Sequence, residues 1–371
     1  MKTLWYISRA DGSMPWNPQG QDPLDRTRLE DLAREVERAG FFGALVATWS
    51  SDALVTSAFV AAATTRLRVL TAVYAGLVPP KLLAEQARAY NALTDGRLLL
   101  NLVNGRDDVL RTYGLESSHD ERYAAAERYW ADFRRHYHTN DFFRHRDEAR
   151  TSADVGTDVP LWGAGDSEAG SAHAGAVLDC FLTMLRDHER TRDNLARAHS
   201  AATRHGRILK ETGIMAGVTV RRRRDDALAH FYGMFEELGA ENLAEQVRKA
   251  IARRTRGRHC LDTFVAPDAK RQSWVNALNA GRLPTPAELH LHGSQYAGIA
   301  AWAPLDVFGD GAAAVYLVGD PDGITDDIQK MRAAMDISVL VLTGWPLREE
   351  AAHTGSLLLP RLDDTHEETR G

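Results

Sequence analysis

The sequence predicts a single (β/α)₈ barrel with insertions, the largest of them between the seventh and eighth strands. Three observations predict it. Apolar runs of strand length alternate with stretches of helical period along most of the 371 residues, which is the pattern of a parallel sheet with helices outside it. The runs are apolar on both faces, as strands must be when helices cover one side and a packed barrel the other. Polar residues collect where the runs end, and a barrel assembles its site there. A doubly wound sheet would show the same alternation, but eight strand–helix steps favour the barrel.

Residues 4–8 read as the first strand, and 9–23, rich in Gly, Pro, Asn and Asp, as a long loop of the kind that often carries function. Asp25 caps a helix to about residue 39, with Leu29, Leu32, Ala33 and Val36 at helical spacing and Gly40 ending it. Residues 43–48 form the second strand, 52–65 a helix, and 67–73 the third strand. Pro79 and Pro80 open the next helix, where a missing amide costs least. The fourth strand, Leu98 to Val103, is bounded by Gly96 and Gly105 and carries Asn101 in an otherwise apolar run. Ser118 and Glu121 resemble a capping box for a helix running to about residue 138. His119 and Tyr123, four apart, share its first turn.

Residues 140–158 are charged and patternless and read as an insertion or surface loop. The fifth strand, 159–163, ends in Gly163, Gly165, Asp166 and Ser167; the sixth and seventh are 177–183 and 213–220. Between 225 and 310 the rhythm breaks. Helices fit 227–252, but 255–302 has no clear period and is too long for a bare loop in a compact domain. It reads as a helical excursion plus a mobile lid. A helix at 325–335, an eighth strand at 338–343 and a helix at 348–358 close one domain over 1–371, with a polar tail at 363–371.

Composition narrows the function classes. A net charge of -6 from 45 basic and 51 acidic residues argues against a nucleic-acid binder. Cys180 and Cys260 are isolated, so neither a CxxC metal site nor a disulfide framework is expected. His290 and His292 have no cysteine and only Glu288 for company, and no metal is expected there. The arginines 221–224 read as a solvated face. No apolar run reaches membrane-spanning length and no signal-like segment opens the chain, so a cytoplasmic protein without membrane association is the expectation.

The ordered segments TRLRVLTAV, NALTDGRLLLNLVNG, SHDERY, VPLWGAGDS, YLVGDPDGI and ISVLVLTGWPLREEA together resemble the bacterial luciferase-like flavin monooxygenases, most closely their alkanesulfonate branch. The resemblance implies a TIM barrel that takes reduced FMN from a separate flavin reductase and, with O₂, oxidises a small organic substrate under a closing loop. It also implies a homodimer or homotetramer. Carried over by position, Ser50, Ala72, Val73, Asn101, His119, Tyr123, Gly165 and Ser167 match flavin-contacting positions, and Asn101, His119 and Tyr123 would position flavin and protons.

Elementary chemistry makes these roles reasonable. A phosphate takes amides and hydroxyls near a helix N-terminus, as Gly165 and Ser167 offer; Asp166 beside them counts against this unless its carboxylate turns away. The flavin ring needs a flat apolar wall with a few fixed donors, which Ala72, Val73 and Asn101 supply. Each has a plainer reading: Ser167 as N-cap, His119 as a cap or surface histidine, Tyr123 as packing, Asn101 bonded to a neighbouring backbone. An amide buried without a partner costs about 1–3 kcal/mol, so Asn101 needs one.

The departures bear on substrate. Ser50 stands where the sulfonate enzymes carry cysteine, Met215 and Gly217 where they carry Arg and His, and Trp345 and Leu347 where they carry Tyr and His. A less anionic, more apolar substrate is expected, lined by Trp5, Trp49, Met184, Met215 and Trp345. Arg253, Arg254, Arg256 and Arg258 lie in the expected lid as candidate closers. Two other functions stay open: a coenzyme F420-dependent oxidoreductase, and a flavin-binding homologue without turnover.

Overall fold

The computed structural model describes residues 1–8, 10–12, 21–23, 25–47, 52–103, 107–114, 119–139, 158–165, 167–310 and 314–362. In chain order the elements are β1 (Lys2–Ile7), a short antiparallel pair β2 (Ala10–Gly12) and β3 (Gln21–Pro23), α1 (Arg26–Arg38), β4 (Gly43–Val46), α2 (Ala53–Ala63), β5 (Arg68–Tyr74), α3 (Pro80–Thr94) and β6 (Leu98–Val103). There follow α4 (Asp107–Thr112), α5 (His119–His138), β7 (Leu161–Ala164), α6 (Glu168–Val177), β8 (Cys180–Met184), α7 (His188–Arg204) and β9 (Glu211–Val220). The remainder is α8 (Arg224–Leu238), α9 (Ala240–Thr255), α10 (Ala269–Asn279), α11 (Pro286–Leu289), β10 (His290–His292), β11 (Gln295–Ala297), β12 (Val315–Gly319), α12 (Pro321–Met335), β13 (Val339–Thr343), α13 (Leu347–Leu357) and α14 (Leu359–Leu362).

Eight of these strands, β1, β4, β5, β6, β7, β8, β9 and β13, pair in parallel in that order, and β13 pairs back to both β1 and β9, which closes the ring. They are the eight that sequence pattern predicts. The barrel strands are buried almost throughout, so each is covered on both faces, as all-parallel strands require. Asp25, Asp52, Ser167, Asp187 and Asp320 cap the helices that leave the strands, each accepting a backbone amide. The expected Ser118 cap lies outside the described residues, as do most of 140–158 and the tail 363–371.

Three further strands extend this sheet. The last residues of β9, Gly217 to Val220, run beyond the ring and pair in parallel with β12, to which β11 and then β10 add in antiparallel order. The stretch that lacks a period in sequence therefore holds α10, α11 and a hairpin. Gly217 makes this extension possible. A Cβ there would stand 2.5 Å from the ring of Tyr316, whose hydroxyl donates to the Ile299 carbonyl at 2.9 Å. At the β9 exit, Arg221 grips the buried Glu350 of α13 through two nitrogens, at 2.5 and 3.0 Å, with His230 Nε2 3.3 Å from the same carboxylate.

Candidate active site at the barrel mouth

Strand parity decides which side chains enter the barrel. Thr71 Oγ1 donates to Ser57 on α2 at 2.8 Å, so Thr71 faces the helix layer. Ala72 therefore faces inward, and it is in register with Asn101, which is in register with Trp162. Asn101 is half-buried at the mouth; its Oδ1 is fully buried and accepts no hydrogen bond. Val73 turns to the other face, and the next inward residue is Tyr74, half-buried at the rim with its ring 6.1 Å from that of Tyr113.

A second polar group forms where β7 turns into α6. Tyr123 on α5 brings its hydroxyl to 3.5 Å from Ser167 Oγ, and Ser167 Oγ accepts the Gly170 amide at 3.0 Å. The backbone here is tight. A Cβ on Gly170 would meet Ser167 Oγ at 3.1 Å and the Tyr123 hydroxyl at 3.4 Å, and one on Gly165 would meet Gly170 backbone at 3.3 Å. The turn is held from outside by Asn194 of α7, whose Nδ2 donates to the Gly165 carbonyl at 2.7 Å and to Thr183 Oγ1 at 2.8 Å. Ser171 Oγ lies 3.4 Å from Asn194 Oδ1.

His173, on the next turn of α6, is buried with its ring 5.6 Å from that of Tyr123 and Nδ1 3.9 Å from Glu127. Neither ring nitrogen makes a hydrogen bond, and burial pushes its pKa down to about 4. Such a histidine is neutral at pH 7. His119 opens α5 one turn before Tyr123; its side chain, and Trp49, Ser50 and Asp166, lie outside the described residues.

Of the expected substrate wall, Met184 and Met215 come together, in register on β8 and β9 and half-buried. Trp5 does not join them. It is fully buried with its ring 5.2 Å from Phe41, on the face of β1 opposite to Tyr6. Trp345 is buried beyond β13, its carbonyl 3.1 Å from His230 Nε2. The inward residue of β1 nearest the mouth is Tyr6, whose pKa is pushed up to about 12 by burial, so it stays a neutral phenol. Trp302, from the insertion, packs edge-on against it at 5.5 Å. Sequence reasoning missed Tyr6, Tyr74, Asn194 and Trp302; the register that turns Tyr74 inward is set by strand pairing and not by the pattern of β5 itself.

Of the expected lid arginines, Arg254 pairs with Asp310 and stacks 4.7 Å over Phe308, Arg258 Nε donates to the Thr255 carbonyl at 3.0 Å, and the backbone of Arg256 is the left-handed C-cap of α9. Among the described residues no group of three or more His, Cys, Asp or Glu is placed to hold a metal, and no helix is long and apolar enough to cross a membrane.

The family model described as luciferase-like monooxygenase matches residues 1–336. Among solved structures, the long-chain alkane monooxygenase LadA is similar with TM-score 0.72 and 15% identity, covering 98% of this chain and 91% of that one. The riboflavin lyase RcaE, solved with modified FMN and riboflavin, gives TM-score 0.70 and 16% identity over 99% of this chain and 91% of that chain. The coenzyme F420-dependent tetrahydromethanopterin reductase of Methanopyrus kandleri gives 0.63 and 13%, over 98% and 99%.

Proposed function

We propose, from the premise that this chain belongs to the luciferase-like monooxygenase family, that it uses reduced FMN and O₂ to oxidise a small, largely apolar organic molecule at the barrel mouth. The observation that carries the reading is the buried, unpartnered Oδ1 of Asn101 beside Ala72. A buried carbonyl without a donor costs about 1–3 kcal/mol, and the N–H edge of a flavin ring is a donor that would remove the cost. The cradle of Ser167, Tyr123 and Gly165 suits the phosphate end: the N-terminal turn of α6, two hydroxyls 3.5 Å apart and a glycine without a side chain in the turn. Reduced FMN, when bound, supplies the activation of O₂.

The chain's own groups bind, orient and exclude water. Asn101 fixes the ring's edge, Ala72 and Tyr74 face it from β5, and Asn194 keeps the Gly165 turn in place. His119 and Tyr123 stand on the first turn of α5 as proton-managing candidates. Trp302 over Tyr6 covers the mouth and limits water at the reacting atoms. Met184 and Met215 give the substrate an adaptable apolar wall, and Gly217, which seats Tyr316, leaves no basic side chain in that part of β9. Among the described residues, β9 therefore offers a simple alkanesulfonate no counter-charge at this point. The reduced flavin would come from a separate reductase, and the chain would work as a homodimer or homotetramer.

Anaerobic titration with reduced FMN and, separately, reduced F420, followed by mixing with O₂, tests the reading. Tight binding of reduced FMN and oxygen consumption that depends on the protein support it. Tight binding of reduced F420 without oxygen consumption moves the chain to hydride transfer, and binding of neither points to a non-catalytic role.

A further inference from the structure

A cavity of about 210 Å³ lies outside the closed ring, between the start of α7, α10 and the β11–β12 face of the sheet extension. Leu185, Trp274, Ala297 and Val315 form its buried floor, and Lys270 and His292 stand exposed at its rim. An apolar slot with a few polar groups at its opening is the usual build of a small-molecule site, and this one is below the size that drug-like ligands need.

The charges around it are unequally used. Asp306 Oδ1 accepts the amides of Gly309 and Asp310 at 2.9 and 3.2 Å, and Asp187 Oδ1 accepts the Arg190 amide at 2.9 Å. Arg271 is paired with Asp268 at 2.5 Å, while its Nε donates to the Asp306 carbonyl at 3.0 Å. Lys270 Nζ donates to the His290 carbonyl, and among the described residues no carboxylate pairs with it. An ammonium has three donors, so Lys270 has spare donors for a ligand.

We propose that this cavity is a second ligand site, which takes a small aryl or alkyl carboxylate with its anionic group on Lys270 and its apolar body against Trp274 and Leu291. Most of its floor stands on α10 and the β11–β12 extension rather than on the strand exits of the ring, which suits an accessory site rather than the catalytic one. It is one hydrogen bond from the mouth: the Leu185 amide donates to the Met215 carbonyl at 2.9 Å. Filling the slot would hold the β8–α7 connection against the insertion that carries Trp302.

Calorimetric titration of the full chain with benzoate tests the proposal, with acetate (charge without body) and benzyl alcohol (body without charge) as comparisons. Saturable benzoate binding is expected, with both comparisons about ten-fold weaker or more, as loss of a charge-assisted hydrogen bond or of the buried surface implies. Lys270→Gln should weaken benzoate by a similar factor and Lys270→Arg should restore it; Ala297→Leu, which narrows the floor, should weaken it independently of charge. Absence of saturable benzoate binding overturns the proposal. So does benzoate affinity unchanged in Lys270→Gln or Ala297→Leu, or matched by acetate or benzyl alcohol.

Discussion

Replacing Asn101 with leucine should make the ligand-free protein more stable and the flavin complex weaker. The two side chains are close in size, and the site between Ala72 and Trp162 is walled by apolar atoms on β5 and β7. In the wild type the buried Oδ1 has no donor, an arrangement that costs about 1–3 kcal/mol. Asn101→Leu removes the stranded acceptor, so equilibrium urea unfolding should show the variant more stable by about 1–3 kcal/mol in the absence of flavin. The same variant cannot meet the flavin edge, and one lost hydrogen bond should weaken reduced FMN by up to about ten-fold. A variant destabilised without ligand would show that Oδ1 is already satisfied, and unchanged reduced-FMN affinity would show that the ring is seated elsewhere. Either result refutes the reasoning.

Other perturbations follow from the same contacts. Asn194→Ala strips donors from the Gly165 carbonyl and Thr183 and should cost about 2–4 kcal/mol in unfolding experiments, with reduced-FMN affinity falling as the turn loosens. Arg221→Met leaves the buried Glu350 without its arginine, with His230 and His353 near it, and should cost about 3 kcal/mol or more by denaturant titration. His173, held near pKa 4 by burial, is below its unfolded value of about 6.5. Above pH 6.5 it is neutral in both states and contributes nothing to the pH dependence; as pH falls from there to about 4 the unfolded chain gains the proton first, so roughly 3 kcal/mol of stability is lost over that window. The slope should flatten in His173→Leu, and an unaltered slope would show that other groups set it.

The barrel was legible because its strands are apolar on both faces, and the same property hid their parity. A strand with alternating faces announces which residues point inward; LWYI at β1 and TAVY at β5 do not. Hence Trp5 was expected at the mouth where Tyr6 stands, and Val73 where Tyr74 stands. Asn101 was legible because an amide interrupts the run, and Ser167 because a cap precedes a helix. Asn194 was not, since its partners on the β7–α6 turn and β8 are distant in sequence, although an asparagine inside a helix is a reason to look for one. The strand β12 reads as an ordinary apolar run, but its place beside the end of β9 depends on the space at Gly217, which no period records. Trp302 reaches Tyr6 only through the fold of the whole insertion.

The measurement that tests the site most directly compares reduced FMN with reduced riboflavin, which lacks the phosphate, on wild type, Ser167→Ala, Tyr123→Phe and the double variant under anaerobic conditions. Thermal unfolding of each variant separates any loss of the α6 cap, worth about 1 kcal/mol, from loss of binding. If the β7–α6 turn seats the phosphate, the substitutions weaken reduced FMN about ten-fold or more together while reduced riboflavin is unaffected. Equal losses for both flavins, or none for either, would contradict the placement of reduced FMN along Asn101 and Ser167.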